Sequence, residues 1–266
     1  MDTRLKTHKI LLTPERIKIF FDYIGSRANI EDNYFSKQRG SSLLRFVERH
    51  VSLTGNVLDV GCGPGYFMEH LIAHKIPCAG TDISMRSLDI AKKRLALNPL
   101  FLGVSLMTEN FSLPYTSASF ENIFLIETVE HLSQEDIDGL FREINRVLKP
   151  GGCLIITVPY SEDLDANIII CPKCGGTFHE VLHQSSFDET KLVDLISKHG
   201  FEKTLCRPVA ILPDWKIWLK AQRNRAKWDY ICLECGEIFK SSSRGLVRSL
   251  ANTFKGAFHL VYIGKK

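Results

Sequence analysis

No apolar run in this 266-residue chain approaches the roughly 20 residues that a bilayer-spanning helix needs. The apolar stretches, Asn122–Ile126 and Cys153–Val158 among them, are short and interrupted. The charged opening from Met1 to Lys9 has no apolar segment behind it of the kind a secretion signal carries, so a cytoplasmic location is the expectation. Low-complexity tracts are missing, and so are internal repeats beyond one doubled cysteine pattern. Hydrophobic residues at 44% and charged residues at 24% exclude a disordered or fibrous chain and leave enough apolar material for the core of one large domain. Acidic residues are scarce at one end. Phe201 to Lys266 holds 13 Lys/Arg against 5 Asp/Glu, net +8, so residues 1–200 carry −4. A basic end suits an anionic partner, whether nucleic acid, a phosphorylated small molecule or a lipid head group, and equally suits a solvated surface.

Residues 1–50 read as an N-terminal helical segment, with apolar positions at helical spacing in Ile17–Ile24 and Leu43–Val51. Residues 51–266 read as one α/β domain. Strands are expected at Asn56–Val60, Pro77–Thr81, Phe101–Met107, Asn122–Ile126, Cys153–Val158, Phe201–Pro208 and Ala257–Ile263. Helices fall between them, at Tyr66–His74, Ser84–Leu97, a segment ending at Leu148, and Asp188–His199. This alternation predicts a doubly wound, Rossmann-like sheet covered on both faces. Two stretches interrupt the rhythm, 159–186 and 211–250.

Val57 to Gly65 runs from a strand into a glycine-rich turn that opens a helix. Glycine lets backbone approach a ligand closely, and the helix N-terminus offers free N–H groups. The nicotinamide fingerprint G-x-G-x-x-G is not met, because the third glycine, Gly65, comes one residue early and Tyr66 takes its place. Asp82 ends the next strand, where it can accept both hydroxyls of a ribose, and Glu109-Asn110 follows the third strand, near where an adenine amino group would lie.

With these residues the sequence closely resembles the class I S-adenosylmethionine-dependent methyltransferases. Leu58-Asp59-Val60-Gly61-Cys62-Gly63-Pro64-Gly65 looks like their first motif and Thr81-Asp82-Ile83-Ser84 like their ribose-binding segment. Leu113-Pro114-Tyr115, Ser119-Phe120, Glu127 to Leu132 and Arg146 to Gly152 match later blocks in order and spacing. Glu109 stands where the family commonly has Asp, and Glu121 replaces the usual Asp after Ser-Phe. The resemblance implies S-adenosylmethionine as cofactor, held by Asp59, Gly61, Gly63, Gly65, Asp82, Ile83, Glu109 and Asn110. It also implies a seven-stranded sheet whose last strand is antiparallel.

Four of the eight cysteines form two matching C-x-x-C-G pairs, Cys171/Cys174 and Cys232/Cys235. Two such pairs predict one shared, structural Zn²⁺, since four thiolates leave no open position for substrate. In the sheet that the resemblance implies, both interrupting segments leave from the ligand edge, which would make 159–186 and 211–250 a zinc-binding cap.

Glu127, Glu130 and His131 form E-x-x-E-H directly after a strand, and spacings of three and four would place them on one helical face. With His183 they can hold a divalent cation such as Mg²⁺ or Mn²⁺, or Glu127, His131 or His183 can act as general base. The pattern resembles the metal site of small-RNA 2′-O-methyltransferases and of some quinone-biosynthesis O-methyltransferases, and it also occurs in relatives as plain helix-starting residues. The expected activity is methyl transfer, to an oxygen of a small molecule or of a sugar on an anionic carrier. The alternatives are RNA methylation, with the zinc module and the basic 216–227 segment as RNA surface, and a non-catalytic zinc-bearing interaction module on a methyltransferase scaffold.

Overall fold

The computed structural model describes residues 6–108, 110–225, 229–240 and 258–266. The chain begins with β1 (His8–Lys9), α1 (Pro14–Gly25), a 3₁₀ turn at Ala28–Asn33 and α2 (Phe35–Val47). The strand–helix rhythm follows: β2 (Val57–Val60), α3 (Tyr66–Ala73), β3 (Cys78–Asp82), α4 (Met85–Leu95), β4 (Phe101–Leu106), β5 (Phe120–Ile126), α5 (Gln134–Val147) and β6 (Leu148–Pro159). Next come β7 (Ile168–Ile170), β8 (Gly176–His179), α6 (Glu189–Ser197), β9 (Glu202–Ala210), α7 (Trp215–Arg225), β10 (Tyr230–Ile231), β11 (Ile238–Phe239) and β12 (Phe258–Lys265).

Every residue of β2 and β3 is buried, as strands covered on both faces must be. They sit inside a seven-stranded sheet of order β4-β3-β2-β5-β6-β12-β9. Its strands pair in parallel except β12, which runs antiparallel to both β6 and β9. The doubly wound expectation therefore holds, with its reversed last strand. Leu43, Leu44 and Val47 of α2, Phe67, Met68 and Leu71 of α3 and Leu88 of α4 pack with one set of inward strand residues. Ile137, Leu140, Phe141 and Ile144 of α5 pack with Leu192 and Ile196 of α6 and the other set. Lys149–Gly152 interrupts β6 from within: the β5 register jumps from Phe120↔Leu148 to Asn122↔Cys153. Among the described residues no helix is long and apolar enough to cross a membrane.

A third apolar cluster lies apart from the sheet. It joins Ile10, with Ile17 and Phe20 of α1, to Ile169, Phe178, Leu182, Tyr230, Leu233 and Phe239. Here the structure departs from the reading of a wholly helical N-terminal segment. His8 and Lys9 form a strand that pairs in parallel with Gly176 and Thr177 of β8, completing a small sheet of order β1-β8-β7. The partners lie far apart in sequence, so no local pattern announces the pairing. In the basic 216–227 segment, Lys220 is turned onto Asp32 at 2.9 Å and Lys216 lies over the Trp215 ring.

Candidate active site

The turn between β2 and α3 is shaped by three glycines in the left-handed region, Gly61, Gly63 and Gly65, with φ of +77°, +51° and +80°. A side chain at Gly61 would also meet the Thr128 hydroxyl at 2.5 Å. Asp82 braces the turn from the end of β3: its carboxylate accepts the Gly63 N–H and the Ser84 N–H, each at 2.8 Å. Burial raises its pKa, and those two amides partly offset the rise. Asp59, buried in β2, is pushed up to about 8 by burial and by the charge of Asp82.

Beside this turn opens a cavity of about 580 Å³, ample for a nucleoside-sized ligand. Gly61, Asp82, Ile83 and Asn110 line it, together with Met107 and Phe111 on the β4 side. Gly63, Gly65 and Asp59 are not among its lining residues. Glu109 lies outside the described residues. Glu127, Thr128, His131 and Leu132 form the opposite end. The roof comes from α1, through Pro14, Ile17, Lys18 and Phe21. Phe21 meets His131 edge-on at 5.2 Å between ring centres.

The four polar residues read as one group divide in the structure. Glu127 directly follows β5 with φ +49°, a left-handed backbone that breaks regular helix. Only a short 3₁₀ turn, Val129–His131, follows, so the helical spacing expected of E-x-x-E-H does not apply. Glu127 turns instead to His259 of β12, with Oε1 3.1 Å from Nδ1. Glu130, His131 and His183 do converge, each offering a ligand atom within 4.8 Å of the others. Glu130 is fully buried and neither carboxylate oxygen has a hydrogen-bond partner among the described residues; nor has His131 Nδ1. Burial, with Glu127 nearby, drives the Glu130 pKa well above the carboxylate range. Burial and the neighbouring His183 push the His131 imidazole down to about 3. A fully buried Glu130 side chain with no donor, facing the imidazoles of His131 and His183, is electrostatically incomplete, and a cation of matching size would complete it.

The cysteine pairs meet, with all four sulfurs within 4.8 Å of one another. Cys171 Sγ is 3.7 Å from Cys235 Sγ, and Cys174 Sγ is 3.6 Å from Cys232 Sγ. Four sulfurs about 2.3 Å from a central Zn²⁺ would lie roughly 3.8 Å apart, so the geometry fits. The two knuckles are built alike. Cys171 N–H donates to the Gly176 carbonyl and Cys232 N–H to the Glu237 carbonyl, both at 2.8 Å. Gly175 and Gly236 turn the chain with φ of +81° and +71°.

Residues 58–156 match the family described as "Methyltransferase domain". This stretch holds the glycine turn, Asp82 and the reacting end, and it lies on the sheet order just described. This stretch is a methyltransferase domain of the class I S-adenosylmethionine-dependent type. It is 29% identical over 123 residues to a malonyl-[acyl-carrier protein] O-methyltransferase of Legionella pneumophila, a match covering 46% of this chain and 42% of that protein. It is also 29% identical over 173 residues to the O-methyltransferase rstn1 of Aspergillus nomiae, covering 58% of this chain and 73% of that one. The chain thus matches less than half the length of the first of these relatives. In fold it resembles a chain from the complex between the Haloferax volcanii Trm112 methyltransferase activator and a methyltransferase, with TM-score 0.62, 17% identity, and coverage of 94% of this chain and 96% of that one.

Within this methyltransferase, reading the sequence missed three groups near the reacting end. His259 was seen only as part of a strand. Glu162 and His179 lie in the first zinc segment, where Glu162 touches both His179 and His183. Glu162, His179 and His183 all fall within 159–186, and that grouping of polar side chains was the available signal. The α1 roof had none, because its apolar face reads the same whether it covers a core or a ligand.

Proposed function

We propose that the protein transfers the methyl group of S-adenosylmethionine to an oxygen of a small or carrier-linked acceptor, beneath a cap stapled by one structural Zn²⁺. In this reading the turn at Gly61, Gly63 and Gly65 and the carboxylate of Asp82 seat the cofactor, with Ile83 and Asn110 against the adenosine. The bound cofactor supplies a methyl already activated on a sulfonium, so the chain mainly aligns and desolvates. Glu130, His131 and His183 would hold a divalent cation, with a preference for Mn²⁺ or another transition metal over Mg²⁺ because two ligands are imidazoles. Such a cation supplies Lewis acidity toward an acceptor hydroxyl. Glu127, outside that group and paired with His259, lies at the cavity wall where it can take up the acceptor proton.

The observation that carries this reading is the donor-free, fully buried carboxylate of Glu130 next to the reacting end of the cavity. The names of the O-methyltransferase relatives point the same way. Lys220 of the basic segment is paired with Asp32 in place of an RNA phosphate. Native mass spectrometry should find the cofactor or its demethylated product and one Zn²⁺ per chain. Methylation of hydroxylated acceptors should stop with EDTA at levels that spare the zinc and return with Mn²⁺. Turnover indifferent to EDTA but lost in Glu127→Gln would leave general-base O-methylation and remove the second cation.

A further inference from the structure

His183 bridges two carboxylates. Its Nδ1 contacts Glu162 Oε2, and its Nε2 lies 3.8 Å from Glu130 Oε1. The second distance is too long for a hydrogen bond, yet the midpoint is about 2 Å from each atom, the length of a metal–ligand bond. Which nitrogen carries the proton therefore decides what His183 offers to Glu130. A ring with hydrogen on Nε2 offers a misplaced donor; a ring with hydrogen on Nδ1 offers a lone pair.

The surrounding groups make this choice through a chain that starts at the backbone. His179 Nδ1 accepts two main-chain N–H groups, from His183 at 3.1 Å and from Val181 at 3.4 Å. A nitrogen that accepts cannot carry hydrogen, so the neutral His179 ring has its proton on Nε2. That Nε2 lies 3.4 Å from Glu162 Oε1 without a hydrogen bond among the described residues, and Oε1 accepts the Asn167 side-chain N–H at 2.9 Å instead. His179 is buried and its ring stacks on His183 at 4.7 Å between centres, which holds both rings in place. The other Glu162 oxygen, Oε2, faces His183 Nδ1. With Oε1 already accepting the Asn167 N–H, the Glu162 carboxylate stands as an acceptor and Nδ1 donates to it.

We infer that Glu162 and His179 are positioning residues that hold the His183 proton on Nδ1 and turn the Nε2 lone pair toward Glu130. All three come from the first zinc segment, so the zinc-stapled module sets the state of the reacting end. The inference rests on Glu130, His131 and His183 being the cation-binding face, and it follows the rule that a ligating imidazole gives its other N–H to a carboxylate.

The test is ¹⁵N NMR of histidine-labelled full-length protein, with and without Mn²⁺ as the probe, in wild type and Glu162→Gln. The metal-free wild type should show a neutral His183 with hydrogen on Nδ1. In Glu162→Gln the signal should move toward a mixture of tautomers, and calorimetric Mn²⁺ affinity should fall ten- to a hundredfold. Glu162→Asp should recover part of both, while zinc content and S-adenosylhomocysteine affinity stay at wild-type values in all variants. A wild-type His183 with hydrogen on Nε2, or doubly protonated at neutral pH, overturns the inference whatever Mn²⁺ does. So does a Glu162→Gln protein with unchanged tautomer and unchanged Mn²⁺ affinity. The expected tautomer, shifting in Glu162→Gln, together with no Mn²⁺ binding to wild type, supports the positioning chain and removes the cation reading instead.

Discussion

Asp82 accepts the Gly63 N–H of the glycine turn and the Ser84 N–H that opens α4, and it still lines the cavity. Each oxygen has a further lone pair free to accept a ribose hydroxyl. Asp82→Ala removes charge-assisted hydrogen bonds worth about 1.5–3 kcal/mol and slackens the turn. Calorimetry with S-adenosylhomocysteine should show affinity reduced by at least tenfold; wild-type affinity would sink the ribose assignment. Asp59 makes a pH prediction. Its folded pKa of about 8 lies above the ordinary 3.8, so between those values the folded state binds a proton that the unfolded state does not. Stability linked to this group is thus present below about pH 4 and declines as pH rises toward 8. Asp59→Asn, which stays neutral, should gain stability over wild type from pH 4 to pH 8 in urea titrations. A constant difference across that range would mean that Asp59 is not held protonated.

At the scale of elements, α1 joins two jobs that the sequence presents as one apolar face. Ile17 and Phe20 pack into the apolar cluster around the four cysteines, while Phe21 and Lys18 look into the cavity. Phe21→Ala removes the edge-on contact to His131, worth about 0.5–1.5 kcal/mol beyond area burial. The expected outcome is a two- to tenfold rise in the acceptor KM with zinc content intact. An unchanged KM would place the acceptor away from α1. The helix periodicity of α1 was legible, as was the C-terminal end of α5 near Leu148; its other end is set by Ser133 and Asp136, which form a reciprocal N-terminal cap. What α1 covers was not legible, because amphipathic spacing states that a face is buried and not against what. E-x-x-E-H shows the reverse failure. Its spacing argued for one helical face, and a single left-handed residue, Glu127, removed the helix on which that argument stood.

For the molecule as a whole, the cysteine cluster ties together β1, β7, β8, β10 and β11 around one small apolar core. A structural zinc contributes roughly 10–16 kcal/mol of apparent binding energy, more than that core can supply alone. Cys174→Ser should therefore lose the metal and make 159–186 sensitive to protease, while circular dichroism still reports the central sheet. Because His179 and His183 belong to the same segment, Mn²⁺ binding should be lost with the zinc. Full zinc by elemental analysis in that variant would refute the four-thiolate site.

The sequence by itself determined the sheet. Strand–helix alternation, the glycine turn and the two cysteine pairs are short-range patterns, set by backbone sterics, by the period of the apolar positions and by ligand spacing. It also singled out Asp82, Glu130, His131 and His183 as chemistry-bearing residues. Only the tertiary structure decided which of these act together. It separated Glu127 from Glu130 and gave it to His259, and it brought Glu162 and His179 against His183. It also laid β1 beside β8 and spread α1 over the cavity. Those outcomes depend on contacts between residues tens to hundreds of positions apart, where side-chain direction and burial, rather than spacing along the chain, select the partner.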